Sequence, residues 1–378
     1  MILTKFELKW KFYTMPYSLL RQLFSIPILW ESKMGNKSII LSLKTILGFF
    51  SLILFGSFNG PLFAQPKDVK VMLDWIVQGS HAPFFVAQEK NYYAQNNLNV
   101  KIDAGKGATN TAINVASNVY QFGWVDMPTM IKFNAENPQT PLIAVYISFD
   151  ETPLAVLTLK SKNIRTPADL DGKKIAGGPG TAVHDTISIL FKAAGVPNTK
   201  INWLSVQPQL FGPMVKQGEA DGTGGFTNSN IPALMDVGIA FDDIYPIKYS
   251  EFGADLYGIA LVTTLKYSQE NPDIVKDMVS AFNKGTIDTI KNPPEALKIL
   301  KARDPLLKED IEKVRLNLAL GLTNTEWVKK NGMSVVQPAR MTKMINAVAD
   351  AYSIKSIPTA ESVYTEKFLP PISERLIK

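Results

Sequence analysis

The sequence contains no cysteine and two histidines, and these shortages exclude many kinds of functional site. Without cysteine the chain cannot form disulfides, cysteine-ligated zinc or iron–sulfur sites, or a thiol nucleophile. His81 and His184 are too few for a metal site built on several histidines. We therefore expect no metal site and no resident cofactor, and a catalytic role would have to depend on one of the two histidines.

An excess of basic residues is also missing from most of the chain, although the net charge is +6. Residues 1–64 contain seven Lys or Arg and two Glu, so residues 65–378 contain 33 basic and 32 acidic residues. A nearly neutral body does not provide the broad basic face that binds nucleic acid. The length of 378 residues predicts two or three domains.

The sequence has no apolar run long enough for an ordinary membrane-spanning helix. Its longest uncharged run, Thr45–Ala64, follows two lysines and has an apolar core at 46–58, shorter than the ~20 residues that a span requires. A basic segment, an apolar core and a small residue at the end are typical of a signal peptide, and we expect cleavage near Ala64. The alternative is a membrane anchor. Whether residues 1–33, before Met34, are translated stays open.

From Gln65 onward, short apolar or alternating runs alternate with helical segments. Val69–Asp74 alternates as a strand does, and a helix follows at once. The same order recurs to about Ile147 and again from Lys174, which predicts two α/β units with mostly parallel sheets and helices on both faces. The last third is almost purely helical. Two such units in tandem indicate two lobes with a ligand between them, near the carboxyl ends of the strands.

Three segments at strand ends are candidates for binding. The first, 74–85, contains an aromatic residue and the start of a helix, and the second and third, 105–110 and 177–184, each place glycines before a helix. Glycines allow close approach of the backbone, and a helix start offers unpaired N–H groups to polar or anionic atoms. Turn glycines and capped helix starts with no ligand are the alternative. Neither loop has the spacing of a Walker or dinucleotide-binding motif.

Four stretches together resemble the periplasmic solute-binding proteins of the nitrate, sulfonate, taurine and thiamine-pyrimidine branch of ABC importers. They are LDWIVQGSHAPFFVAQEKNYYAQNNLNVKI (Leu73–Ile102), GKGATNTAINVASNVYQFGWVDMPTMIKF (through Phe133), IRTPADLDGKKIAGGPGTAVHD (Ile164–Asp185) and PTAESVYTEKFLPP (Pro358–Pro371). The first stretch is also similar to fungal thiamine-pyrimidine synthases. Those enzymes use a cysteine-rich iron-binding motif, which this sequence cannot supply.

The resemblance implies a two-lobe, type II periplasmic binding protein fold. Lobe one would comprise residues 66–152 plus 255–378, and lobe two residues 153–254. The resemblance carries the family's cleft contacts onto nine positions: Trp75, His81, Gly107, Ala108, Asp126, Thr181, His184, Phe226 and Tyr257.

These observations predict an exported protein that binds a small molecule in the periplasm and delivers it to an inner-membrane ABC permease. We expect a monomer without a cofactor, and no enzyme activity. The aromatic residues, the nearby carboxylates and the absence of Arg between Arg21 and Arg165 favour a thiamine-pyrimidine-like heterocycle. A sulfonate, taurine or nitrate binder of the same family is the alternative. A pyrimidine synthase using His81 is the alternative from another class.

Overall fold

A computed structural model describes residues 65–377, and the predicted signal peptide with its cleavage point lies outside them. Within this range, strands alternate with helices through the first two thirds. The strands are β1 Lys67–Met72, β2 Leu98–Asp103, β3 Phe122–Asp126, β4 Leu142–Ile147, β5 Leu154–Leu159, β6 Lys174–Ala176, β7 Asn202–Leu204, β8 Gly222–Phe226, β9 Ile244–Lys248 and β10 Ile259–Thr264.

The α-helices lie between these strands and after the last of them. They are α1 Ala82–Glu89, α2 Tyr92–Gln95, α3 Ala108–Ala116, α4 Met127–Glu136, α5 Ala182–Ala193, α6 Phe211–Gln217, α7 Thr227–Asp236, α8 Leu265–Glu270, α9 Pro272–Lys291, α10 Pro293–Arg303, α11 Glu309–Thr323, α12 Glu326–Asn331, α13 Pro338–Ala351, α14 Ala360–Val363 and α15 Ile372–Arg375. The residues from Leu265 onward are therefore mostly helical, as the sequence predicted.

The first sheet has five strands in the order β2-β1-β3-β10-β4. Strand β1 pairs in parallel with β2 and with β3, with Val69 opposite Val100. Strand β10 runs antiparallel to both β3 and β4, so the other four strands point the same way. Their carboxyl ends lie at one edge of the sheet, and the loops that follow them meet there. We call the part of the chain built on this sheet the first lobe.

The second sheet repeats this arrangement with the order β7-β6-β8-β5-β9. Strand β5 takes the place of β10 and runs antiparallel to β8 and β9. Strand β5 was not predicted from the sequence, because LAVLTL is a short apolar run without alternation. The structure supplies the reason: Leu154–Thr158 is buried between two neighbouring strands and covered on both faces, where nothing selects polar residues. The part built on this sheet is the second lobe.

Aromatic packing forms the centre of the first lobe. The Trp124 ring meets Phe84 edge to face at 5.1 Å, and the Phe282 ring of α9 lies 4.4 Å from Phe84. Part of the second lobe's core continues this cluster, and a separate, smaller cluster in that lobe includes Leu157 and Phe211. The Trp75 side chain of the first lobe packs against the smaller cluster. Trp75 therefore joins the two lobes in this conformation.

The C-terminal helices pack on both lobes. Helix α9 packs along α1 of the first lobe, whereas α11 packs against α7 of the second. Helix α13 contacts α4 and α5, one from each lobe. Among residues 65–377, no helix combines the length and the apolar character needed to cross a bilayer.

Candidate functional site

A cavity lies where the loops at the carboxyl ends of the two sheets meet. Both lobes contribute to its wall, and the wall residues are Asp74, Trp75, Gly107, Ala108, Thr181, Ala182, Phe211, Gly224, Gly225, Phe226, Ser229 and Asn230. Its volume is about 30 Å³, which is room for about two water molecules. A six-membered ring needs more space, so binding requires the lobes or the lining side chains to separate.

The two glycine-led loops face each other across this cavity. Gly107 caps the start of α3 with a backbone φ of +132°, a conformation that residues other than glycine rarely adopt. A Cβ atom on Gly107 would collide with the carbonyl oxygen of Gly180 in the second lobe. Each lobe thus brings the start of one helix, α3 or α5, to the cavity, through Ala108 and through Thr181.

Three aromatic side chains provide the apolar part of the wall. The rings of Trp75 and Phe211 have their centroids 6.2 Å apart with planes inclined at 40°. Phe226 ends β8 and contributes a third ring. Flat apolar surfaces of this kind favour a planar ligand, because ring-to-ring contact buries area on both partners.

Asp74 brings a carboxylate to the cavity, and His81 holds it in place from behind. The Nε2 atom of His81 lies 2.9 Å from Asp74 Oδ1, and the backbone N–H of Gln78 donates to His81 Nδ1 at 3.3 Å. Since Nδ1 accepts, the ring proton is on Nε2 and is donated to Asp74. Both side chains are buried, at 1% and 3% exposure. His81 is therefore a neutral donor that orients a carboxylate.

A second buried network crosses between the lobes beside the cavity. Arg315 of α11 donates to Gln78 Oε1 at 2.9 Å and to the carbonyl oxygen of Ser229 in the second lobe at 2.6 Å. Gln78 donates to the Ser229 hydroxyl at 2.5 Å, and Arg315 pairs with Glu312 at 3.1 Å. Burial raises the pKa of Glu312 and lowers that of Arg315, because both charges have lost water.

Asp126 and Asn228 occupy similar places in the two lobes. Asp126 ends β3 and Asn228 follows β8, and each of these strands is the central one of its sheet. Asp126 Oδ1 accepts from the Thr129 N–H at 3.1 Å, but Oδ2 has no hydrogen-bond partner. Burial raises the pKa of Asp126 to about 6. Both amide atoms of Asn228 also lack partners, at 1% exposure.

His184 lies beside the cavity in a contact between the lobes. Its Nδ1 atom lies 2.6 Å from Asp185 Oδ1, and its ring meets Trp203 at 5.1 Å. Thr109 of the first lobe donates to Asp185 Oδ2 at 2.6 Å. Burial raises the pKa of Asp185, but hydrogen bonds from His184, Thr109 and the Gly180 N–H outweigh it, so the pKa is lowered overall. The hydrogen bond between Thr109 and Asp185 joins α3 to α5.

Tyr257 lies where the chain returns from the second sheet to the first, away from the cavity wall. Its hydroxyl accepts from the Gln337 N–H at 2.7 Å, and the Arg340 guanidinium stacks 4.3 Å above its ring. Arg340 also pairs with Asp150 at 3.1 Å and Asp255 at 2.7 Å. Arg340 therefore joins both segments that connect the sheets.

Of the nine positions named from the sequence, five form part of the cavity wall: Trp75, Gly107, Ala108, Thr181 and Phe226. Four lie elsewhere: His81 behind Asp74, Asp126 at the carboxyl end of β3, His184 against Trp203 and Tyr257 at the connection between the sheets. Phe211, Ser229 and Asn230 were not predicted as contacts from the sequence. Ser229 and Asn230 follow Phe226 in the same helix start, so proximity was the available signal, whereas Phe211 had none.

Nothing in the cavity wall resembles an activated nucleophile. The Thr181 hydroxyl donates a hydrogen bond to the Gly178 carbonyl oxygen, and the Ser229 hydroxyl accepts one from the Gln78 amide. The His81 ring faces Asp74. Within residues 65–377, no three acidic or histidine side chains converge on a point where they could hold a metal ion. The arrangement can hold a guest molecule by aromatic contact and hydrogen bonds.

Comparison with known proteins places the chain in a family. The profile described as NMT1/THI5 like matches residues 78–296, more than half of the chain. A formylaminopyrimidine-binding protein of Halalkalibacterium halodurans is 29% identical over 263 residues, which cover 67% of this chain and 77% of that protein. A 4-amino-5-hydroxymethyl-2-methylpyrimidine phosphate synthase of Legionella pneumophila is 21% identical over 326 residues, or 80% and 92% of the two chains.

Solved structures confirm the predicted architecture. The alkanesulfonate-binding protein SsuA of Xanthomonas axonopodis pv. citri, bound to MOPS, matches with a TM-score of 0.61 at 14% identity, covering 80% of this chain and 100% of that one. At this identity the likeness establishes the fold alone, the two-lobe type II fold of periplasmic binding proteins. With the profile match over more than half its length, the chain belongs to the NMT1/THI5-like family.

Proposed function

We propose that this protein is the substrate-binding component of an ABC importer and that it captures a small aminated pyrimidine between its lobes. The single observation that carries the ligand class is the charge of the cavity wall. Among the described residues, Asp74 is the only ionisable residue lining the cavity, and the aromatic residues Trp75, Phe211 and Phe226 line the same cavity.

A carboxylate in the wall favours hydrogen-bond donors and disfavours anions. A sulfonate or nitrate would meet the Asp74 charge with no lining Lys or Arg to compensate, although the two helix starts offer N–H groups. A hydroxymethyl or formylaminomethyl substituent of such a pyrimidine donates an O–H or N–H to a carboxylate, and the pyrimidine ring fits between aromatic faces. The name of the Halalkalibacterium halodurans relative, a formylaminopyrimidine-binding protein, supports the same ligand class.

The lobes that close on the ligand are proposed to comprise residues 66–152 plus 255–378, and residues 153–254. The positions of the strands support this division, because β1–β4 and β10 form one sheet and β5–β9 the other. The hinge would then consist of the two connecting segments that Arg340 joins through Asp150 and Asp255. Tyr257 would serve this hinge and have no contact with the ligand.

The other residues divide by how they act. Trp75, Gly107, Ala108, Thr181 and Phe226 would contact the ligand directly. His81 would act through Asp74, and His184 would act through Asp185 by stabilising the closed arrangement. Closure follows binding because a ligand that contacts both lobes binds the closed state more tightly than the open one. The ligand leaves unchanged.

The proposed route begins with export through the signal peptide, cleaved near Ala64, into the periplasm. There the monomeric protein would bind its ligand and present it to an inner-membrane permease. The family relationship and the fold support this role. The synthase from Legionella pneumophila is a relative at 21% identity, and the cavity wall of this chain provides binding groups without a nucleophile.

Calorimetric titration of the unliganded protein tests the proposal. We expect heat from 4-amino-5-hydroxymethyl-2-methylpyrimidine and from its formylated aminomethyl analogue, and none from taurine or nitrate. Asp74→Asn should weaken pyrimidine binding about tenfold or more, since a carboxylate is a stronger acceptor than an amide. Asp68→Asn, at an exposed position of β1, is the matched control and should bind normally. Heat from taurine alone, or conversion of the pyrimidine during incubation, would overturn the proposal.

A further inference from the structure

Each lobe contains a buried polar side chain with at least one hydrogen-bonding atom that has no partner in the protein. At Asp126 the free atom is Oδ2, and at Asn228 the free atoms are Oδ1 and Nδ2. The two side chains are 0% and 1% exposed. An unmade hydrogen bond at a buried polar group costs about 1–3 kcal/mol, so such groups are rarely kept without a partner.

The two residues lie beside the proposed ligand cavity. Asn228 is preceded by Phe226 and followed by Ser229, and both of these line the cavity. Asp126 is close enough to the wall residue Asp74 for the two charges to repel, which adds to the effect of burial in raising the pKa of Asp126. Helix α4, which starts directly after Asp126, packs against α5 of the second lobe. Each lobe therefore places one such group at the surface where the lobes meet.

We propose that Asp126 and Asn228 determine ligand specificity by forming hydrogen bonds with an exocyclic amino group and a neighbouring ring nitrogen of the bound heterocycle. This assignment rests on the proposed function of the cavity. The free atoms comprise two acceptors, Asp126 Oδ2 and Asn228 Oδ1, and one donor, Asn228 Nδ2. The Asn228 amide can accept one N–H of an amino group while donating to the adjacent ring nitrogen, and Asp126 Oδ2 can accept the other N–H, so that Asp74 accepts from the second substituent of the ring.

A buried water molecule is the competing partner for these atoms. Buried water commonly satisfies polar groups that the protein leaves unpaired. The two explanations differ in what a substitution changes. A residue paired with water affects stability alone, whereas a residue paired with the ligand affects the preference for ligands that carry the amino group.

The experiment compares two ligands, 4-amino-5-hydroxymethyl-2-methylpyrimidine and the same compound without its amino group. For the unmodified protein we expect the aminated ligand to bind about 10- to 100-fold more tightly. A ligand without the amino group leaves buried polar groups of the protein unpaired. Asn228→Leu removes both free amide atoms. Asp126→Ser removes Oδ2 while keeping an oxygen that can cap the Thr129 N–H. Each variant should lower the preference about tenfold.

Asn283→Leu is the matched control, because Asn283 is a buried asparagine with its partners in place. It accepts from Tyr146 at 3.0 Å and donates to the Glu374 carbonyl oxygen at 2.9 Å. This variant should lose stability and keep the full preference. Asn228→Leu should lose little stability, because no protein partner is left unpaired.

The outcomes separate the two proposals. If the unmodified protein binds neither pyrimidine, the proposed function and this assignment both fail. If it binds with the expected preference and Asn228→Leu and Asp126→Ser keep that preference, the assignment fails and the proposed function stands. Loss of stability in Asn228→Leu without a change in preference identifies water as the partner and likewise overturns the assignment.

Discussion

The buried carboxyl of Asp126 leads to a prediction about stability that needs no ligand. In the folded protein its pKa is about 6, because burial disfavours the charged form. In the unfolded chain an aspartate has a pKa of about 3.9. Between about pH 4 and pH 6 the folded state therefore keeps a proton that the unfolded state has lost. The unfolding free energy should fall as pH rises through this window and become level above it.

The size of the effect follows from the difference between these two values. A difference of about two pKa units corresponds to about 3 kcal/mol, at about 1.4 kcal/mol per unit. The Asp126→Asn variant cannot ionise, and its side-chain oxygen still accepts the Thr129 N–H that Asp126 Oδ1 now accepts. Relative to the unmodified protein, the variant should therefore gain about 2 kcal/mol in unfolding free energy between pH 4.5 and pH 7.5, because part of the full effect already falls below pH 4.5.

The assay is urea unfolding followed by tryptophan fluorescence at the two pH values, without ligand. The ionisable neighbours of Asp126 are Asp74, Tyr249 and Tyr352, and burial raises the pKa of both tyrosines, so they stay neutral throughout. Asp74 is present in both proteins, and the loss of its repulsion with Asp126 in the variant is part of the expected difference. If the stability difference between the two proteins is the same at both pH values, the pKa of Asp126 is not raised by burial and this reasoning is refuted.

Two further substitutions test the closed arrangement of the lobes. Gly107→Ala places a Cβ against the Gly180 carbonyl oxygen, so we expect a larger radius of gyration in X-ray scattering and at least tenfold weaker pyrimidine binding, whereas the control Gly321→Ala, with open space around it, should change neither. Arg315→Met leaves Glu312 buried without its partner, and thermal or urea unfolding should show a loss of about 3–5 kcal/mol that Glu312→Gln in the same chain partly restores. An unchanged scattering profile for the first, or unchanged stability for the second, would contradict this account of the contact between the lobes.

Local patterns were sufficient where one segment decides its own structure. The last third was predicted to be almost purely helical, and its longest helix is observed at Pro272–Lys291, because an apolar stripe at helical spacing and Pro272 in the first turn both act within the segment. The strand–glycine–helix order likewise indicated Gly107 and Thr181. Strand β5 was missed, since its burial between β8 and β9 depends on residues far away in the chain.

The amino-acid sequence by itself determined the class of this protein: no cysteine, a near-neutral body, two α/β units and helix starts led by glycines at the strand ends. Only the tertiary structure decided which side chains share the cavity. Phe211 and Ser229 reach it through the packing of α6 and α7. Arg315 of α11 donates to the Ser229 carbonyl oxygen beside the cavity, and His81 was found behind Asp74 because of a hydrogen bond. The spacing of residue types along the chain indicates the structure within a segment. The distances between segments are set only when the sheets and helices pack.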